Sequence, residues 1–259
     1  MRGWRPDLRR LPNVVVAATL FVGSVRLARR GVSEPERQVF RSVNEQSAWL
    51  EPVLWPPMQL GSLWGPIAVG WATWRRRRSW RPTAGVVIGG VAAWQLAKVV
   101  KAIVKRGRPA DELDAMVRRV GTPKDGLGFV SGHTAVAFSM VTVLWPSAGV
   151  RERVGLLVVG LVVAFSRIHV GAHLPLDTVG GAALGVLVGE TWRMLNGDDH
   201  VPVMDQDTLS GDLPDAASRA DEGVVRCRWR RHDLSWRRAS VGPVASGRAG
   251  SSVVRAGDS

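Results

Sequence analysis

Three stretches of this chain gather residue types that suit chemistry on an anion. The first carries Lys101 and Arg108, seven residues apart, with Pro109 after them. A helix continuing through it would point both cations the same way. The second is Phe129-Val130-Ser131-Gly132-His133-Thr134. Ser, Gly and the free N–H groups of a helix start form an anion site. The third holds Ser166, Arg167, His169, His173 and Asp177. Three fixed cations, Lys101, Arg108 and Arg167, match a phosphate or diphosphate. One histidine can attack phosphorus while a carboxylate holds its tautomer. A second can protonate the departing alkoxide. With Lys and Arg stabilising the charge, no metal cofactor has to be added.

Each stretch also has a plainer reading. Cations at a helix end complement the dipole or snorkel to head groups. A Ser-Gly-His run can simply be a cap, and His173 with Asp177 an ordinary hydrogen-bonded pair. His169, His173 and Asp177 at i, i+4 and i+8 could also be a metal triad, although Pro175 argues against one unbroken helix. The functional reading rests on where the elements place the three stretches.

The chain has 259 residues, 35 Lys and Arg against 22 Asp and Glu, and one cysteine. The lone Cys227 excludes an internal disulfide framework and a cysteine zinc cluster. A formal charge of +13 would suit a nucleic-acid binder if it formed one face. Instead the basic residues sit in short runs between long uncharged stretches, as in a membrane protein, so no nucleic-acid partner is expected. The mean hydropathy of +0.03 averages two unlike parts. Residues 1–195 hold 26 of the basic and 12 of the acidic residues; residues 196–259 have no long apolar run.

Residues 52–74 and 127–150 are each long enough to span a bilayer. The runs 11–25, 82–97, 154–166 and 178–189 are shorter and need extra turns with snorkelling or inward-facing charges. Together they predict an all-α, polytopic membrane protein: a six-helix bundle over 1–195 and a largely disordered tail over 196–259. Ser33, Pro35 and the acids Glu34 and Glu36 read as a helix start, giving a short interfacial helix over 33–45. The Arg75–Arg78 cluster, with Arg151 and Arg153, orients the bundle. The connections holding Arg108, His133 and His173 then face the extracytoplasmic side, and both termini the cytoplasm. Residues 110–128 are expected to lid the site. In the tail, the acids of 198–222 precede an Arg- and Trp-containing patch at 226–238, which is expected to meet the cytoplasmic leaflet.

The three stretches resemble the signature of the type 2 phosphatidic acid phosphatase superfamily: Lys-x6-Arg-Pro, Pro-Ser-Gly-His, and Ser-Arg-x5-His-x3-Asp. Lys101, Arg108 and Pro109 match the first part. Ser131, Gly132 and His133 match the second, with Val130 where the family usually has Pro. Ser166, Arg167, His173 and Asp177 match the third. The resemblance implies that His173 is the nucleophile forming a phosphohistidine, Asp177 its partner and His133 the general acid. It implies that Lys101, Arg108, Arg167, Ser131 and the Gly132 backbone hold the phosphoryl oxygens. It also implies a six-helix core whose site faces outwards, and a lipid phosphate or polyprenyl diphosphate as substrate. A phosphotransferase, a vanadate-dependent haloperoxidase of the same superfamily and a catalytically silent lipid-binding protein are the alternatives. Oligomeric state is not legible.

Overall fold

A computed structural model describes residues 7–123 and 125–197. The tail beyond residue 197, with its acidic and Arg/Trp-rich segments, lies outside the described residues. Those described fold into helices and connections, with no strand among them. The helices are α1 (Leu11–Ala28), α2 (Glu34–Asn44), α3 (Leu50–Gln59), α4 (Trp64–Arg77), α5 (Trp80–Val104), the single turn α6 (Pro109–Glu112), α7 (Gly132–Leu144), α8 (Val150–His169) and α9 (Pro175–Asn196).

α7 is the central helix, with most of its residues buried. It packs most extensively on α9, then on α5 and α8, while α1 covers the other side of α9. Small residues permit the α7–α9 contact. A Cβ added to Gly185 would lie 2.3 Å from the Ala135 carbonyl oxygen, and one on Gly181 2.5 Å from that of Ser131. Gly181 and Gly185 are one helical turn apart, so backbone meets backbone along one face, as in membrane helix pairs.

Two stretches, Leu8–Ala28 around α1 and Trp80–Glu112 around α5, are long and apolar enough to cross a bilayer by themselves. The other expected runs differ from single straight spans. The 52–74 run is broken between α3 and α4. Pro56 and Pro57 remove backbone donors inside α3. Gly61, in the break, presses so closely on α7 that an added Cβ would lie 2.6 Å from the His133 carbonyl oxygen. α3 then packs on α8, whereas α4 packs on α5. The 127–150 run forms one helix only from Gly132 to Leu144; its first residues are a non-helical approach to the site, and Trp145–Ser147 is a 3-10 turn before α8. α5 stops at Val104 because Lys105 adopts a left-handed conformation (φ 56°) as the C-cap. Lys101 and Arg108 therefore do not share a continuing helix face.

α2 starts as the sequence predicts, with the Ser33 side chain accepting from the Glu36 N–H. It is more than a surface helix. Glu36, Phe40 and Asn44, spaced four apart, are all buried against the ends of α8 and α9.

Ion pairs tie the elements together at the end of the bundle opposite α2. Arg76 and Arg77 reach Glu152 at 3.3 and 3.2 Å, and Arg77 also donates to the Ser147 carbonyl. These link the end of α4 to the α7–α8 connection. Glu190 near the end of α9 accepts from Arg10 (3.3 Å), Asn13 (3.3 Å) and Arg193 (2.6 Å). The start of α1 and the end of α9 are thus held at one end.

Candidate active site

Each sequence-predicted site residue sits at an element boundary. Lys101 is in the last turn of α5 and Arg108 is the N-cap of α6. Ser131 caps α7, with Gly132 and His133 in its first turn. Arg167 is in the last turn of α8, His173 in the following connection and Asp177 in the first turn of α9. The fold brings six of them onto one cavity of about 210 Å³: Lys101, Arg108, Gly132, His133, Arg167 and His173. Trp94, Ala97, Lys98 and Pro123 complete its wall. Asp177 stands behind His173, fully buried. Ser131 is also fully buried and does not line the cavity. Its hydroxyl oxygen accepts from the Thr134 hydroxyl at 3.0 Å and braces the start of α7.

The three cations are held by main-chain carbonyls, largely of one segment. Lys101 Nζ donates to the Leu127 and Gly128 oxygens at 2.9 and 2.8 Å. Arg108 donates through Nε to the Asp125 oxygen at 3.1 Å and through Nη1 to the Ala172 oxygen at 3.0 Å. Arg167 Nη1 reaches the Gly121 oxygen and Met58 Sδ, each at 3.4 Å. A neutral carbonyl orients a cation without cancelling its charge, so the cavity wall stays positive.

That segment is anchored in turn. Asn44 on α2 donates to the Val117 oxygen at 2.9 Å and accepts from the Val117 N–H at 2.8 Å. Arg119 Nη1 bridges the carbonyls of Asn44 and His169 at 2.6 and 2.7 Å. Gly128 donates to the Arg106 oxygen at 2.8 Å, so close to the chain that an added Cβ would meet the Gly107 oxygen at 2.4 Å. The stretch expected to lid the site is thus a pinned cap that also supplies Pro123 to the wall.

His173 Nδ1 stands 3.5 Å from Asp177 Oδ2, an ion-pair distance without hydrogen-bond alignment. Catalytic contacts of this kind commonly tighten only with substrate bound. Burial first, and then the charges of Lys101, Arg167 and Arg108, hold His173 well below the usual imidazole range. It is therefore a neutral nitrogen base at pH 7, with Nε2 on the side away from the carboxylate.

Two functional groups escaped the sequence reading. Asp177 Oδ1 accepts from Arg106 Nη1 at 3.0 Å, and Oδ2 from the Leu174 N–H at 2.9 Å. Arg106 also grips Glu36 with both terminal nitrogens, Nη1 to Oε1 at 3.0 Å and Nη2 to Oε2 at 2.6 Å. Glu36 Oε1 accepts in addition from the Leu176 N–H at 3.0 Å. A buried Asp177–Arg106–Glu36 chain thus joins the site to α2. The sequence signal for Arg106 was its place between Lys101 and Arg108; Glu36 read only as a helix-start acid.

His169 takes no part. Its Nδ1 meets the Val43 carbonyl at 3.2 Å and its ring stacks on Phe165. α8 ends at His169 and α9 begins at Pro175, so His169, His173 and Asp177 share no helix face. Among the described residues no group of three or more His, Cys, Asp and Glu side chains is placed to hold a metal ion. Val130, at the family's Pro position, is fully buried.

Residues 83–197 match the model of the PAP2 superfamily. Two curated relatives, the decaprenylphosphoryl-5-phosphoribose phosphatases of Mycobacterium tuberculosis strains CDC 1551 / Oshkosh and ATCC 25618 / H37Rv, are each 31% identical over 180 residues, covering 70% of this chain and 89% of the relative. The fold resembles that of Aquifex aeolicus LpxE, with a TM-score of 0.54 and 23% identity over 60% of this chain and 92% of that one. It equally resembles the first transmembrane PAP2 type phosphatidylglycerolphosphate phosphatase from Bacillus subtilis, with a TM-score of 0.54 and 20% identity over 68% and 94%.

Replacing Arg106 by Gln leaves two buried carboxylates without their shared cation. Breaking a buried pair from one side costs about 3–5 kcal/mol. The Arg106→Gln protein is expected to unfold at a clearly lower temperature in detergent micelles, with phosphate release impaired. Wild-type stability in that variant would contradict the buried chain.

Proposed function

This chain belongs to the PAP2 superfamily and is a phosphatase, and we propose that it hydrolyses a lipid phosphate or polyprenyl (di)phosphate through a phosphohistidine on His173. The observation that carries this reading is the buried imidazole of His173, backed by Asp177 and lining a cavity walled by Lys101, Arg108 and Arg167. Their positions support the following roles. His173 Nε2 attacks phosphorus while the bond to the leaving oxygen breaks. His133, on the same cavity, gives that oxygen a proton. Asp177 orients the imidazole and stabilises the positive charge it gains. The three cations and the Gly132 N–H stabilise the charge spreading over the phosphoryl oxygens. Water then attacks the phosphohistidine, His133 takes its proton, and His173 is released with inorganic phosphate. The curated relatives' names point to a polyprenyl phosphosugar phosphate as one candidate substrate for this chain. Transfer to an acceptor other than water is the second reading, because the same intermediate would serve it.

The membrane arrangement belongs to the proposal. Six crossings, made by α1, α3 with α4, α5, α7, α8 and α9, would set the cavity on the extracytoplasmic side and both termini in the cytoplasm. The Arg76/Arg77–Glu152 and Arg10–Glu190 pairs support this, because they hold at one end the connections that the positive-inside rule assigns to the cytoplasm. Residues 1–195 would form the catalytic domain and 196–259 a cytoplasmic tail.

The His173→Ala protein is expected to insert and fold but release no phosphate. Asp177→Asn should lose a factor of about 10⁴ in kcat, as when a triad carboxylate is neutralised. Wild-type turnover by folded His173→Ala would overturn the mechanism. For sidedness, single cysteines at Ala115 and Ser210 in a Cys227→Ser background are expected to label from opposite faces of intact cells with an impermeant maleimide. Labelling of both from outside would contradict the six crossings.

A further inference from the structure

Among the described residues, Lys98 is the one cavity-wall cation left out of the machinery described so far. It lies on α5 three residues before Lys101, on the helix face that also carries Trp94 and Lys101. Unlike the other three cations it is exposed. Among the described residues no carboxylate lies within ion-pair distance of it and no carbonyl accepts from it. A charge on an apolar helix within a membrane domain is costly, and such residues mark ligand or ion pathways.

Its level along the bundle tells what it would bind. α5 approaches the site from the opposite end of the bundle, so three residues at 1.5 Å each set Lys98 about 4.5 Å nearer the bilayer interior than Lys101. The phosphoryl group to be removed sits at the level of His173. The lipid chain must lie on the bilayer side. Any group between them passes Lys98.

We propose that Lys98 forms a subsite for a second phosphate, lying between the lipid chain and the phosphate that is removed. The substrate class is then a lipid with two phosphates in series, either a diphosphate or a phosphodiester carrying a terminal phosphomonoester, and not a lipid monophosphate. This rests on the phosphatase reading above. The subsite takes no part in bond breaking; it holds one more anionic oxygen pair with a charge-assisted hydrogen bond.

The test uses the purified full-length protein in detergent micelles and three lipids with identical short acyl chains: phosphatidic acid, diacylglycerol diphosphate and phosphatidylglycerol phosphate. The readout is kcat/KM for phosphate release, and its ratio to that for phosphatidic acid. Lys98→Gln is expected to lower the ratio about tenfold for the diphosphate, the phosphodiester lipid or both, mainly through KM. Lys98→Arg should restore most of it. The lipid that responds fixes the spacing of the two phosphates. An unchanged ratio for both, whether through no loss or equal loss on all three lipids, would overturn the subsite. Wild-type protein that releases phosphate from none of the three would overturn the phosphatase reading itself, and the subsite with it.

Discussion

A carboxylate shut away from solvent needs a counter-charge, and at Asp177 that charge is Arg106. Without it, the carboxylate would be a buried charge with no counter-ion, which a folded protein does not tolerate. Arg106 engages Oδ1 and leaves Oδ2 to the Leu174 N–H and the neighbouring His173. Much of the site end depends on satisfying Arg106 in turn. Its second carboxylate, Glu36, arrives on α2, so α2 docks into the bundle and does not merely lie on the membrane surface. Docked there, α2 presents Asn44, which clamps Val117 and so fixes the cap whose carbonyls orient Lys101, Arg108 and Arg167.

This arrangement separates two jobs. The cations facing the cavity are bonded to neutral carbonyls, so their charge remains available to a phosphoryl group. The cation behind the cavity is bonded to two carboxylates, so its charge is spent on Asp177 and Glu36. A second buried cluster, Glu190 with Arg10, Asn13 and Arg193, performs only a joining role at the far end of the bundle. Between them, α7 and α9 touch backbone to backbone through Gly181 and Gly185, which sets the start of α7, with Ser131 and His133, against the start of α9, with Asp177.

The eight candidate site residues stand out in the sequence because their types and spacings suit phosphate chemistry, and the fold sets all eight in or beside one cavity. The helical class was legible from the apolar runs, and the α2 start from Ser33 and Pro35. The partner of Asp177 was not. Arg106 and Glu36 are 70 residues apart, and each reads locally as an ordinary charge at a helix end. The shared face expected for Lys101 and Arg108 fails at Lys105, whose left-handed conformation nothing in its side chain announces. The 52–74 run looks like one span because charge content does not register a turn forced by Pro56, Pro57 and the contact of Gly61 with α7. Lys98 follows the apolar run 82–97 as an ordinary end charge, and only the fold sets it in the cavity wall.

The central claim is that His173 Nε2 takes the phosphoryl group. Rapid quenching of turnover into alkali, where phosphohistidine survives, followed by peptide mass spectrometry, tests it most directly. The account predicts an acid-labile phosphate on His173, absent from His173→Ala and accumulating when the leaving of phosphate is slowed. Phosphate carried instead by His133, or a turning-over enzyme with no phosphorylated histidine at any quench time, would contradict it.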